Sequence, residues 1–133
     1  MKQPLSQILT AAIDGLLYLS ESEAPVALLQ WPGVTDLAAA QEQVTSLTGT
    51  PVGAQQLQSP ADFMSPILKM AVPEDPAMQT YARRWKRVLK KMQSELQDVQ
   101  VISTPVKDAQ VQLYIVGFTD TKALVLHTSA VNT

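Results

Sequence analysis

Two apolar runs near the end of the chain, residues 111–118 and 123–130, are separated only by Thr119-Asp120-Thr121-Lys122. A short polar connection of this kind joins neighbouring antiparallel strands. The pair commits the chain to a sheet, and both strands are too continuously apolar for a sheet with one face in water. Helices covering both faces are therefore expected. Residues 99–104 read as a third strand. Residues 77–97 supply a helix, with Met78, Tyr81, Trp85, Val88, Leu89, Met92 and Leu96 on one stripe and charges around it.

The first half alternates in the same way. In residues 4–19, Leu5, Ile8, Leu9, Ala12, Ile13, Leu16 and Leu17 fall at helical spacing, and Pro4 suits a first turn. Residues 20–24 read as a polar connection, and Pro25 blocks further helix. Residues 26–31 form a short apolar run stopped by Pro32-Gly33, the pattern of a strand buried on both faces. Thr35-Asp36 caps a second helix to about Leu47, with Leu37, Ala40, Val44 and Leu47 on one side. Residues 52–57 are a weak strand. Ser59-Pro60 opens a third helix carrying Phe63, Ile67 and Leu68, with Pro66 inside it. Residues 72–76, Val-Pro-Glu-Asp-Pro, read as a rigid acidic loop. The sum is one mixed α+β domain, 1–133, built on a mainly antiparallel sheet.

At 133 residues the chain can bury a substantial core. With 46% hydrophobic and 17% charged residues it is too apolar for disorder. No apolar run approaches the length of a transmembrane helix, so neither a membrane partner nor an anchor is expected. The polar residues after Lys2 make a poor secretory segment. With no cysteine there is neither a disulfide nor a thiolate metal site, which fits a reducing compartment.

The net charge of −2 conceals a division. Arg83, Arg84, Lys86, Arg87, Lys90 and Lys91 fall within nine residues, while all twelve acids lie elsewhere. One basic face on a broadly acidic body follows. Phosphate contact is one reading of that face; a solvated helix surface, with Arg stems lying beside Trp85 and Tyr81, is the other. The acidity of the whole chain favours the second, and direct nucleic-acid binding is not expected.

Catalytic constellations are missing. The one histidine, His127, lies on a strand without a neighbouring carboxylate in sequence. There is no glycine-rich phosphate loop or metal-ligand spacing. A binding protein without cofactor or small-molecule substrate is the expectation, not an enzyme.

One stretch has a specific look. Asp14-Gly15-Leu16-Leu17-Tyr18-Leu19-Ser20-Glu21-Ser22-Glu23 is followed by an apolar run ending in Trp31, and the chain closes on Ala130-Val131-Asn132-Thr133. These features resemble the nuclease A inhibitor family, small cyanobacterial-type proteins that plug a sugar-nonspecific, magnesium-dependent nuclease. The likeness spans nearly the whole chain. It implies an α/β/α sandwich, a cytoplasmic inhibitor and a one-to-one complex with a basic nuclease. It further implies that Glu21 belongs to the contact surface, with Glu23 beside it, and that Thr133, as the last residue, reaches the partner's catalytic magnesium. A carboxylate suits both roles, because it satisfies the arginines and lysines of a phosphate groove and is a hard ligand for Mg²⁺. The family's acidic contact loop falls on Glu74 and Asp75. Glu74 replaces an amide there, and Pro76 stands where the family carries an aromatic anchor. Interface aromatics contribute about 2 kcal/mol or more. Two alternatives stay open: a diverged interaction module of the same fold, and a nucleic-acid-binding protein using residues 83–91.

Overall fold

A computed structural model describes residues 3–131 of the chain. Its centre is a five-stranded antiparallel sheet in the order β3-β7-β6-β5-β4, formed by Ala27–Pro32, Lys122–Val131, Gln110–Phe118, Gln97–Ser103 and Gln56–Gln58 respectively. The closing hairpin is as expected. β6 and β7 pair from Gln110↔Val131 to Phe118↔Ala123. The Thr119 hydroxyl accepts from the N–H groups of Thr121 and Lys122, which closes the turn.

Alternation along the strands divides the core in two. Val101, Leu113, Ile115, Leu124 and Leu126 face a layer made by α1 (Leu5–Ile13), α3 (Pro60–Met70) and α4 (Pro76–Glu95). Ile102, Tyr114, Val116, Ala123 and Val125 face the opposite way, toward α2 (Leu37–Thr48) with its buried Ala40 and Val44. The architecture is therefore an α/β/α sandwich, three helices against one. Among the described residues no helix is long and apolar enough to cross a membrane.

Local chemistry explains most boundaries. The Asp36 side chain caps α2 by accepting from the Ala39 N–H at 2.8 Å, and Gly49, at φ +74°, ends it. Ser59 caps α3 through the Asp62 N–H, with Pro60 at the first helical position. Pro66 is tolerated inside α3 on an exposed position. In α4, Trp85 and Met92 are fully buried, and Val88 and Leu89 nearly so.

Several expectations need correction. The first helix does not run to residue 19. It ends at Ile13, the chain turns at Asp14 and Gly15, the latter at φ +72°, and Leu16 and Leu17 leave the helix. Residues 20–24 are not a simple connection either. Leu17–Leu19 (β1) and Glu23–Pro25 (β2) form a separate two-stranded hairpin, with Leu19 opposite Glu23. The strand after it is not buried on both faces: β3 is a sheet edge with the pattern exposed, half-buried, half-buried, exposed, buried, exposed. Its end at Pro32 is compatible with an edge, where one side of the backbone needs no ladder partner. Residues 52–57 hold a 3₁₀ turn, Val52–Ala54, before the short β4. Leu47 and Leu68 are half exposed rather than core.

Candidate functional site

The β1–β2 hairpin sits on α4 through side chains distant in sequence. The Trp85 Nε1–H donates to the Leu17 carbonyl at 3.1 Å. One turn earlier, the Tyr81 hydroxyl accepts from the Leu19 N–H at 2.9 Å. Arg84 donates to the carbonyls of Ala12 and Asp14 at 3.0 and 2.8 Å, satisfying orphan groups where α1 ends. Between the two strands and the core, Tyr18 stacks on Phe63 at 5.5 Å and meets Trp85 edge-on at 6.1 Å. β2 is tied to the main sheet by the Thr128 hydroxyl, which donates to the Pro25 carbonyl.

The hairpin tip, Ser20-Glu21-Ser22, closes with the Ser20 N–H donating to the Ser22 carbonyl at 2.9 Å. Its Ser20 Oγ also accepts from the Val131 N–H at 3.0 Å. This bond brings the last described residue of β7 to the tip that carries Glu21. Glu21 and Glu23 are both exposed. Thr133 lies outside the described residues, two positions beyond Val131.

Following α4 toward its start, the contacts advance from Leu17 to Leu19, and so toward the tip. Asp75 stands six residues before Tyr81, roughly 9 Å along the helix axis. The Glu74-Asp75 segment and the tip thus project toward the same end of the molecule. Glu74 is exposed. Asp75 has a structural role as well. Its Oδ1 accepts from the Met78 N–H at 3.1 Å and caps α4, with Pro76 at the first helical position. The segment read as a rigid acidic loop is therefore partly the start of a helix. Pro76 fits that start, where a missing N–H costs nothing.

The basic cluster separates into two kinds. Arg84 turns inward as described, and Lys91 pairs with Glu95 at 3.3 Å. Arg83, Lys86, Arg87 and Lys90 are exposed.

His127 lies on the α2 side of the sheet, stacked on Tyr114 at 4.6 Å, with Nε2 2.7 Å from Gln112 Oε1. Burial holds its pKa below the ordinary histidine value. Burial likewise raises Tyr114 and Tyr18, and raises Tyr81 against the smaller opposing effect of the Leu19 N–H. Among the described residues the ring's partners are Gln112 and Tyr114 and no acid acts on it, so the arrangement is that of a packed histidine. Among the described residues no group of three or more His, Cys, Asp or Glu is placed to hold a metal ion.

Sequence reasoning named Glu21, Glu23, Glu74 and Asp75 as candidates but missed what holds the segments that carry them. Ser20 stood only as part of the quoted run before Glu21, whereas its hydroxyl links the tip to β7. Tyr81 and Trp85 read as core stripe residues, and their polar atoms turn out to hold the hairpin. The Asp-Pro pair at 75–76 was the available signal for a helix start.

A family model described as nuclease A inhibitor-like protein matches residues 3–133. No curated protein matches the chain.

Proposed function

Because the chain belongs to the nuclease A inhibitor-like family, we propose that it inhibits a sugar-nonspecific, magnesium-dependent endonuclease by occupying the active site. The observation that carries this reading is the Ser20–Val131 hydrogen bond, which joins the Glu21 tip to the end of β7. Glu21 and Glu23 enter the basic substrate groove in place of phosphate, and Glu74 extends the acidic surface from the start of α4. Asp75 contributes through its second oxygen while Oδ1 caps the helix. Thr133 supplies oxygen to the partner's Mg²⁺, a hard cation, and a version of the protein ending at Thr133 presents a carboxylate there.

Inhibition of this kind requires no chemistry from the inhibitor. It requires a surface held in shape before binding, so that little ordering entropy is lost on association. The hairpin has that quality through Tyr81, Trp85 and Thr128. The complex is one-to-one, of standard size at about 1,600 Å² in total, and forms in the cytoplasm. Acid-to-base complementarity speeds encounter, and salt slows it.

Pro76 favours a second reading. At the place of the family's aromatic anchor this chain has a residue suited to starting a helix, which fits an interaction module that no longer engages a nuclease.

Titrating the activity of such a nuclease with the purified protein separates the two. Loss of activity with an equivalence point at one inhibitor per enzyme, weakened in Glu21→Gln without a fall in melting temperature, supports inhibition. A folded protein that leaves the nuclease fully active at every ratio supports the module.

A further inference from the structure

Two of the six clustered cations on α4 have their charge committed within the protein, Arg84 to the end of α1 and Lys91 to Glu95, while Arg83 Nε makes only a long bond, 3.4 Å, to the Gln79 carbonyl one turn back. The other four fall at positions i, i+3, i+4 and i+7, which is one face of a helix. Arg83, Lys86, Arg87 and Lys90 are all exposed, and none is ion-paired among the described residues. The positions that extend this face in either direction are Gln79, Thr80, Gln93 and Ser94, so no acid adjoins the ridge along it. Four positive charges therefore stand within about 10 Å along the axis, on a chain whose net charge is −2.

The acidity of the whole chain points to a solvated face, but four exposed cations on one face without an ion pair among the described residues point the other way, and we propose that this outer face of α4 is a sequence-independent contact for the phosphate backbone of a nucleic-acid duplex. The composition of the ridge selects this occupant. Backbone binding needs cations that displace counterions and does not need an apolar anchor or base-reading groups. A membrane surface fits less well. Helices that bind membranes bury an apolar face in the lipid boundary, and here Trp85, Val88, Leu89 and Met92 are spent in the core. A protein partner would want an apolar or aromatic hot spot beside the charges; the shallow depression that Lys86 and Lys90 border is floored by Met64 and Leu89, both buried, so no large apolar side chain stands exposed there.

The placement leaves the nuclease-facing end open. The ridge lies opposite the core-facing stripe of α4, starting about 12 Å along the axis from Asp75. If the proposed inhibition holds, an inhibitor engaged through Glu21 still exposes the ridge, so enzyme, inhibitor and duplex form one assembly. The duplex contact itself does not rest on that inhibition.

The test is fluorescence anisotropy of a labelled DNA duplex of about 20 base pairs, with salt varied from about 50 to 200 mM. Four contacts predict log K falling against log salt with a slope of about −3.6. The variant R83Q/K86Q/R87Q/K90Q should lose at least about tenfold in affinity and most of the slope. K69Q/K107Q, which removes two charges elsewhere, should bind like the wild type. Arg87→Glu alone provides a milder change, read alongside the melting temperature, and should lower both affinity and slope. Absence of duplex binding at the lowest salt overturns the proposal. So does unchanged binding by the fourfold variant, or retention on phosphatidylserine vesicles without binding to the duplex. Nuclease inhibition measured on the same variants keeps the two ideas apart: it should stay at the wild-type level when duplex binding is lost.

Discussion

Asp75 holds two assignments on one side chain. Its Oδ1 caps α4 through the Met78 N–H, and the proposed function asks the same carboxylate to meet a basic partner. The two separate by substitution. Asp75→Ala removes cap and charge together and should cost about 1 kcal/mol of stability. Asp75→Ser retains a capping oxygen and removes the charge. It should melt close to the wild type and still inhibit less well; unchanged inhibition by Asp75→Ser would leave Asp75 as a cap alone. His127 is a second single-residue case. Its pKa is lowered by burial, so the folded chain favours the neutral ring. As pH falls below about 6.5 the unfolded chain takes up the proton first, and folding stability drops. The full contribution is present above that pH and is lost as acidification proceeds toward the folded pKa. The wild type should therefore lose more melting temperature than His127→Gln between about pH 7.5 and 5.5. Parallel losses in the two proteins would show that this ring is not the sensitive group.

At the scale of elements, the β1–β2 hairpin is too small to stand alone. Each strand has three residues, and isolated two-stranded hairpins are marginal in water. Its shape is imposed by α4. Tyr81→Phe removes the acceptor for the Leu19 N–H and should cost about 1 kcal/mol. Amide exchange at Leu19 should accelerate, and inhibition should weaken because the Glu21 tip is less well held. Exchange at Leu19 as slow as in the wild type would mean that the bond contributes nothing. This dependence explains why the hairpin escaped the sequence. Leu16 and Leu17 continue the helical spacing of α1, and a three-residue strand is too short to show its own alternation. The contacts that decide the matter come from Tyr81 and Trp85, more than sixty positions away. β6 and β7 were legible because two continuous apolar runs flank a marked polar turn, and nine positions pair across it. The caps of α2 and α3 were legible because Asp36 and Ser59 act on neighbours three residues on. The start of α4 was obscured because Glu74-Asp75-Pro76 reads equally as an acidic loop.

For the whole molecule, the fold separates roles by direction. The three-helix layer and the α2 layer bury the two faces of the sheet and leave its ends to loops. At one end the Glu21 tip and the end of β7 are joined, with the start of α4 projecting the same way. The cationic ridge of α4 lies on the flank. A molecule charged in this way would be oriented before contact with the proposed basic groove, which would attract the acidic end and repel the ridge. The most direct measurement compares inhibition of a sugar-nonspecific, magnesium-dependent nuclease by two versions of the protein, one ending at Thr133 and one with two residues appended after it. The account predicts tight inhibition by the first and a sharply raised inhibition constant for the second, with equal melting temperatures. Equal inhibition by both would contradict the placement of that carboxylate at the partner's metal ion.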